Sequence, residues 1–195
     1  MNATPRRAVW MALLPNLISF ARLLCVPVAV WLILNQRFAI AFWLFLLAGI
    51  SDAVDGFIAK RFRAKSELGA YLDPLADKAL LVSVFVTLGY AGAVQSWLVI
   101  LIVFRDLLIV GGALLYATMF RGLRMQPLWI SKLNTALQIA LAAALLAKAG
   151  FGFPDGFTEI LVHVVAATTI LSGAAYVVKW GFKAARLGES PAAGE

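Results

Sequence analysis

Four aspartates between Asp52 and Asp77 are the residues of this chain best suited to chemistry. Asp52 and Asp55 are three positions apart, and Asp73 and Asp77 are four positions apart. On a helix, each spacing places both carboxylates on one face. Two such faces turned toward each other would bring four negative charges into a small volume between apolar segments, and such charge requires cations. The spacing therefore predicts a carboxylate site for divalent metal at a membrane surface.

The apolar composition indicates which elements position these aspartates. Of the 195 residues 63% are hydrophobic, whereas a soluble domain averages about half. At about 20 residues per span, the length predicts an all-α integral membrane protein, a bundle of six transmembrane helices with a short interfacial helix over residues 5–14. The expected spans are 13–34, 38–60, 70–91, 97–120, 130–149 and 158–180. We expect one membrane domain over residues 1–187 and a disordered tail over 188–195.

Positive charges predict the orientation of the bundle, because cytoplasmic loops carry an excess of lysine and arginine. One side would hold Arg6, Arg7, Lys60, Arg61, Arg63, Lys65, Arg121, Arg124, Lys132, Lys179, Lys183 and Arg186. The other side would hold Arg37 and Lys148. Both termini and the aspartates are therefore expected on the cytoplasmic side, which requires an even number of spans. The net charge of +7 fits anionic lipid headgroups rather than nucleic acid, because the bases stand at segment ends.

The stretch of aspartates also matches a known signature. Written out it reads D-x-x-D-G-x-x-A-K-x8-G-x3-D-x3-D, and it resembles the signature of the CDP-alcohol phosphatidyltransferases, with Lys60 in place of arginine. The matching positions are Asp52, Asp55, Gly56, Ala59, Gly69, Asp73 and Asp77. The resemblance implies a six-helix membrane enzyme that transfers a phosphatidyl group from CDP-diacylglycerol to an alcohol and releases CMP.

The same resemblance implies roles for individual residues. Asp52, Asp55 and Asp73 would bind metal, and Asp77 would bind metal and take the proton of the acceptor hydroxyl. Two divalent ions, Mg²⁺ or Mn²⁺, would suit these oxygen ligands and offset the charge of the diphosphate. The positions implied to contact the CDP-lipid are Asn16, Gly56, Ala59, Lys60, Ser66 and Gly69. Lysine at position 60 keeps the charge of arginine but loses its bidentate fork.

The first predicted span begins with polar residues on one helical face, at Asn16, Ser19 and Arg22. The sequence Pro15-Asn16-x-x-Ser19-x-x-Arg22 resembles Pro-Asn-x-x-Thr-x-x-Arg of the same family, with serine for threonine. The resemblance implies that this stripe closes the nucleotide site from the first helix. Ordinary polar packing between helices, with Arg22 extended toward the interface, is the alternative.

The acceptor alcohol depends on the fourth and fifth spans. Residues 104–106 and 130–138 resemble the cardiolipin synthase branch of the family, whereas relatives that use glycerol 3-phosphate tend to have lysine where Asn134 stands. A neutral Asn134 favours phosphatidylglycerol, a diester with one charge, over the nearly dianionic glycerol 3-phosphate. We expect Arg105, Lys132 and Asn134 to contact the acceptor. For Arg105, a structural pair with a carboxylate is the alternative.

Other functions and settings fit parts of the pattern. A phosphatidylglycerophosphate synthase is the nearest rival. An intramembrane prenyltransferase also binds diphosphate through aspartates, but with two separate motifs in a longer bundle. A cation carrier would need carboxylates spread across the membrane. The resemblance implies a homodimer, and a bacterial cytoplasmic membrane is the simplest location, with a mature mitochondrial protein as the alternative.

Overall fold

The computed structural model of the chain is all-helical. It describes the backbone at residues 5–62, 67–119 and 128–188 and the side chains at 17–52, 54, 76–112, 128–154 and 156–179. The helices are α1 (Pro5–Leu34), α2 (Phe38–Phe62), α3 (Glu67–Tyr90), α4 (Ser96–Met119), α5 (Trp129–Phe151) and α6 (Asp155–Gly188). Each of the six predicted spans overlaps one helix, so the prediction of six helices is confirmed within the described residues. The predicted tail, apart from Gly188 at the end of α6, lies outside the described residues.

The short helix predicted over residues 5–14 is not a separate element, because α1 runs without a break from Pro5 to Leu34. Pro15 suggested a boundary, since proline removes one backbone hydrogen bond and disfavours helix at the preceding residue. In an apolar setting a full break would leave several more backbone groups without partners. A continuous helix that accommodates Pro15 leaves fewer groups unpaired than a break would.

Membrane character is evident from the apolar helices. Within the described residues, three segments are long and apolar enough to cross a bilayer: Leu17–Leu34, Trp129–Phe151 and Gly156–Lys179. A shorter apolar helical segment covers Phe38–Asp52. Helices of this kind fit a membrane protein, as predicted. The six-span topology and the cytoplasmic termini stay predictions.

The chain divides into two compact units. The first comprises Met1–Gln95 and Ala142–Asp155, and the second comprises Ser96–Leu141 and Gly156–Glu195. Helix α5 therefore contributes its first half to the second unit and its second half to the first.

In the first unit, α1 packs against both α2 and α3. Its core contains Ile33 of α1, Phe45 of α2, and Val84, Phe85 and Leu88 of α3, all buried. The buried residues of α3 recur every three or four positions, which is the period of one helical face. This packing fixes three helices against one another, and two of them carry the aspartate motif.

The second unit has an interior that is partly polar. Leu98 and Ile102 of α4 and Val165 of α6 are fully buried. Side chains with polar groups are buried in the same unit: Arg105, Asp106, Asn134, Gln138, Thr158, Thr169 and Ser172. Buried polar groups in a membrane helix are costly, and they usually bind one another or a ligand.

Gly150, near the end of α5, is required by the close approach of α2. A methyl group at this position would lie 2.6 Å from the backbone nitrogen of Ala39 and 2.8 Å from its Cα. Because those atoms are backbone and cannot turn away, we expect Gly150→Ala to destabilise the protein by about 1–3 kcal/mol. Thermal unfolding in detergent measures the change.

Gly49 provides the matched control, because a methyl group there would meet nothing within 4 Å. Gly49→Ala should leave stability unchanged or raise it slightly, by about 0.5–1 kcal/mol, through the better helix propensity of alanine. Equal effects of the two substitutions would contradict the close approach of α5 and α2.

Candidate active site

Two aspartates of the motif meet at one cation in the first unit. Asp52 lies in α2, Asp77 lies in α3, and Arg22 of α1 lies between them. Nη1 of Arg22 is 2.8 Å from Oδ1 of Asp52, and the same nitrogen donates a hydrogen bond to Oδ1 of Asp77. The two carboxylates, 25 positions apart in sequence, therefore converge on one guanidinium nitrogen. The predicted site of four carboxylates stays a prediction, because the side chains of Asp55 and Asp73 lie outside the described residues.

The burial of the three side chains differs. The side chain of Arg22 is 2% exposed, whereas those of Asp52 and Asp77 are each 42% exposed. The guanidinium is thus buried, whereas both carboxylates are partly exposed. A ligand that comes from outside therefore reaches negative charge before it reaches the guanidinium.

Local packing explains why these side chains face one another. In α3, Ala76, Leu80 and Val84 are buried on the face beside Asp77, so the hydrophobic contacts of the helix fix the direction of the carboxylate. In α1, Ser19 and Arg22 are both buried, one helical turn apart. Ser19 and Arg22 of the predicted polar stripe therefore face the interior of the unit, and Arg22 forms ion pairs there rather than extending toward the interface.

A second polar cluster lies in the second unit, around Arg105 of α4. Its Nη1 donates to Oδ1 of Asp106 at 2.7 Å, and Nη2 donates to Oγ of Ser131 at 2.7 Å. Nε and Nη2 both donate to Oγ of Ser172, at 3.2 Å and 2.5 Å. The guanidinium is thereby held by α4, α5 and α6 together. The side chains of Arg105 and Asp106 are 3% and 6% exposed, so the pair is buried.

Asn134 lies three positions after Ser131 on α5 and is fully buried. Its Oδ1 accepts hydrogen bonds from Thr168 at 2.8 Å and Thr169 at 3.0 Å. Among the described residues, its Nδ2 and both polar atoms of Gln138, one turn further on, have no hydrogen-bond partner. A buried amide without a hydrogen-bond partner is costly. A hydroxyl group or a water molecule that forms a hydrogen bond with these amides would remove that cost.

Comparison with known proteins identifies the family that carries this motif. The family model described as CDP-alcohol phosphatidyltransferase matches residues 12–178. The chain belongs to the CDP-alcohol phosphatidyltransferase family. The match covers all of the aspartate motif and both polar clusters, and it confirms the resemblance inferred from the sequence. Membership of this family excludes the two alternatives of another class, the intramembrane prenyltransferase and the cation carrier.

Relatives within the CDP-alcohol phosphatidyltransferase family have two different names. The chain is 37% identical over 186 residues to CDP-diacylglycerol–glycerol-3-phosphate 3-phosphatidyltransferase 1, chloroplastic, of Oryza sativa subsp. japonica, covering 86% of the chain and 56% of the relative. It is 37% identical over 180 residues to cardiolipin synthase (CMP-forming) of Rattus norvegicus, covering 84% and 60%. The human cardiolipin synthase (CMP-forming) is 36% identical, again covering 84% and 60%. The chain thus spans 56–60% of the length of these relatives.

The remaining signature positions of the family lie on the same helices. Asp55, Gly56, Ala59 and Lys60 belong to α2, Gly69 and Asp73 to α3, and Asn16 to α1, while Ser66 lies outside the described residues. The structure does not describe the side chains of these residues, so their predicted contacts stay predictions. Within the described side chains, no group of three or more histidine, cysteine or acidic residues is close enough to hold a metal ion.

Arg22 is the residue whose part in this site the sequence reasoning missed. The resemblance implies that it helps to close the nucleotide site from the first helix, and the alternative extends it toward the interface; neither predicts its contact with two of the four motif aspartates. The available signal was its position on the same helical face as Asn16 and Ser19. A buried polar stripe that contains a cation needs an anion nearby, and the motif aspartates are the nearest acids in sequence.

The described aspartates fit a divalent metal. Asp52 and Asp77 supply carboxylate oxygens, which Mg²⁺ and Mn²⁺ prefer. The two oxygens already bind one positively charged group in common. Since both carboxylates are also partly exposed, a metal ion can reach them.

Proposed function

We propose that the chain transfers the phosphatidyl group of CDP-diacylglycerol to phosphatidylglycerol, yielding cardiolipin and CMP. The observation that carries the proposal is the convergence of Asp52 and Asp77, from separate helices, on one buried cation, with both carboxylates partly exposed. In the CDP-alcohol phosphatidyltransferase family, that motif is the one expected to meet the diphosphate.

Asp77 is proposed as the general base. The hydroxyl oxygen of the acceptor attacks the phosphorus that bears the diacylglycerol, and the bond from that phosphorus to the bridging oxygen of the diphosphate breaks. The hydroxyl proton passes to Asp77, and CMP leaves with the bonding electrons. Two divalent ions, held by Asp52, Asp55, Asp73 and Asp77, would supply charge stabilisation for the phosphoryl oxygens and the leaving CMP.

The charges of the second unit favour a diester acceptor. Asp106 balances the charge of Arg105, and the other buried polar groups described in this unit are neutral, namely amides on α5 and hydroxyls on α6. Lys132, the other predicted cation, is exposed. Glycerol 3-phosphate, nearly a dianion, would need an additional uncompensated cation, whereas the headgroup of phosphatidylglycerol offers hydroxyls that Asn134 can bind. We propose that Arg105, Lys132 and Asn134 contact this acceptor.

The identity to relatives does not decide the acceptor, because the rice and rat proteins are equally identical to the chain. The proposal therefore includes phosphatidylglycerophosphate synthesis as the second candidate. A homodimer in a bacterial cytoplasmic membrane, with the aspartates on the cytoplasmic side, completes the proposal. The excess of basic residues on the motif side supports that orientation.

The test supplies purified protein with CDP-diacylglycerol, Mn²⁺ and one acceptor at a time, and measures CMP and the lipid product. We expect CMP release with phosphatidylglycerol and formation of cardiolipin. Product from glycerol 3-phosphate alone would overturn the cardiolipin assignment and support the second candidate. The absence of CMP with either acceptor would contradict the proposed reaction.

A further inference from the structure

We propose that Arg22 is a positioning residue that acts as a built-in counter-cation for the metal site. Its guanidinium holds Asp52 and Asp77 together, and its charge lowers the affinity of these carboxylates for divalent metal. The inference rests on the proposed function, because it assumes that the two aspartates bind metal. It assigns a role to a residue outside the aspartate motif.

The geometry shows that one nitrogen serves both carboxylates. Nη1 of Arg22 contacts Oδ1 of Asp52 and Oδ1 of Asp77, and the three residues come from three different helices. Any separation of α2 from α3 at this level would break one of these contacts. Arg22 therefore couples the positions of the two aspartates as well as offsetting their charge.

Burial distinguishes Arg22 from a residue that contacts substrate directly. The side chain of Arg22 is 2% exposed, whereas those of the two aspartates are each 42% exposed. A phosphate or a metal ion that comes from outside therefore reaches the carboxylates before it reaches the guanidinium. Each carboxylate has two oxygens and can accept a hydrogen bond from Arg22 while it binds a cation.

The charge of Arg22 then acts in two directions. Without divalent metal it offsets the repulsion between carboxylates, which would otherwise push α2 and α3 apart. With divalent metal it is a like charge near the ion and weakens binding. Since a buried charge is screened less than an exposed one, we expect the second effect to be large enough to measure.

The decisive variant is Arg22→Gln, which keeps N–H donors but removes the charge. We expect its affinity for Mn²⁺, measured by electron paramagnetic resonance on purified protein, to rise by about tenfold or more. We also expect its melting temperature in EDTA to fall below that of the wild type and Mn²⁺ to restore it. Arg22→Lys keeps the charge and should bind Mn²⁺ as the wild type does.

Arg37 supplies the matched control, because it is an exposed arginine in the same unit. Arg37→Gln removes the same charge and should change neither the Mn²⁺ affinity nor the melting temperature. Unchanged or weaker Mn²⁺ binding by Arg22→Gln would overturn the inference. If Arg22→Gln does not fold even with Mn²⁺, Arg22→Lys decides, and a tenfold change in its Mn²⁺ affinity would also overturn it.

The outcome is separable from that of the proposed function. Metal affinity and melting temperature require no lipid substrate, so the counter-cation role can hold even if the protein releases no CMP. The converse result is that the wild-type protein releases CMP while Arg22→Gln binds Mn²⁺ with unaltered affinity. That result would support the proposed function and contradict the proposed role of Arg22. A raised KM for CDP-diacylglycerol with unaltered Mn²⁺ binding would assign Arg22 to the substrate phosphates instead.

Discussion

Asp77→Asn is expected to slow CMP release from CDP-diacylglycerol by a factor of about 10²–10⁴, the usual loss when a general base is removed. Asparagine cannot take the proton of the acceptor hydroxyl, and its amide is a weaker metal ligand than a carboxylate. The fold should survive, because the amide oxygen can still accept the hydrogen bond from Arg22 and Asp52 still pairs with Arg22.

The measurement compares initial rates of CMP release at saturating Mn²⁺, with the melting temperature as a check on folding. Glu159→Gln is the matched control, since Glu159 is an exposed acid in the second unit and its loss changes the net charge equally. That control should retain wild-type activity. Substantial activity in a folded Asp77→Asn protein would show that another group accepts the proton.

The helices were predictable from the sequence because they depend on local features. Apolar runs of about 20 residues, interrupted by short polar segments, predict six helices. The structure has helices at all six positions. The start of α1 was predicted incorrectly because Pro15 is a helix breaker in water, whereas the cost of exposing backbone groups in an apolar setting opposes a break.

The meeting of Asp52 and Asp77 from two helices was predictable in part, for a related reason. The spacing of carboxylates on a helix fixes which of them share a face, and a cluster of acids requires cations. The contact of Asp52 and Asp77 with Arg22 was suggested by the polar stripe of α1 but not fixed by the sequence, because spacing within one helix carries no information on which face of another helix it meets. Arg22 is 30 positions from Asp52 in sequence, and only the packing of α1 against α2 and α3 brings them together.

The pair of Arg105 and Asp106 shows the same limit within one helix. Adjacent residues on a helix point in different directions, so sequence reasoning did not require them to pair. In the structure the long side chain of Arg105 turns back to Asp106 and also reaches Ser131 and Ser172. The hydroxyls of α5 and α6 fix the guanidinium where the neighbouring carboxylate can accept from it.

Arg105→Met is expected to destabilise the protein by about 3–5 kcal/mol, because it removes the guanidinium that forms a buried ion pair with Asp106 and binds Ser131 and Ser172. Thermal or denaturant unfolding in mixed micelles measures the loss. The double variant Arg105→Met with Asp106→Leu should recover most of it, since removing both charges of a buried pair is often nearly neutral. Lys179→Met, at an exposed cation of α6, is the control and should change stability by less than about 0.5 kcal/mol.

The stable double variant also tests whether Arg105 contacts the acceptor. A guanidinium has five N–H donors, and the contacts to Asp106, Ser131 and Ser172 leave one hydrogen on Nη1 for a ligand. If that donor binds the acceptor phosphate, the double variant should show a KM for phosphatidylglycerol raised by about tenfold, the loss expected for one hydrogen bond to a charged group. The KM for CDP-diacylglycerol should stay unchanged. Equal KM values for phosphatidylglycerol in the wild type and the double variant would restrict Arg105 to joining α4, α5 and α6, and acceptor recognition would then rest on Asn134 and Lys132.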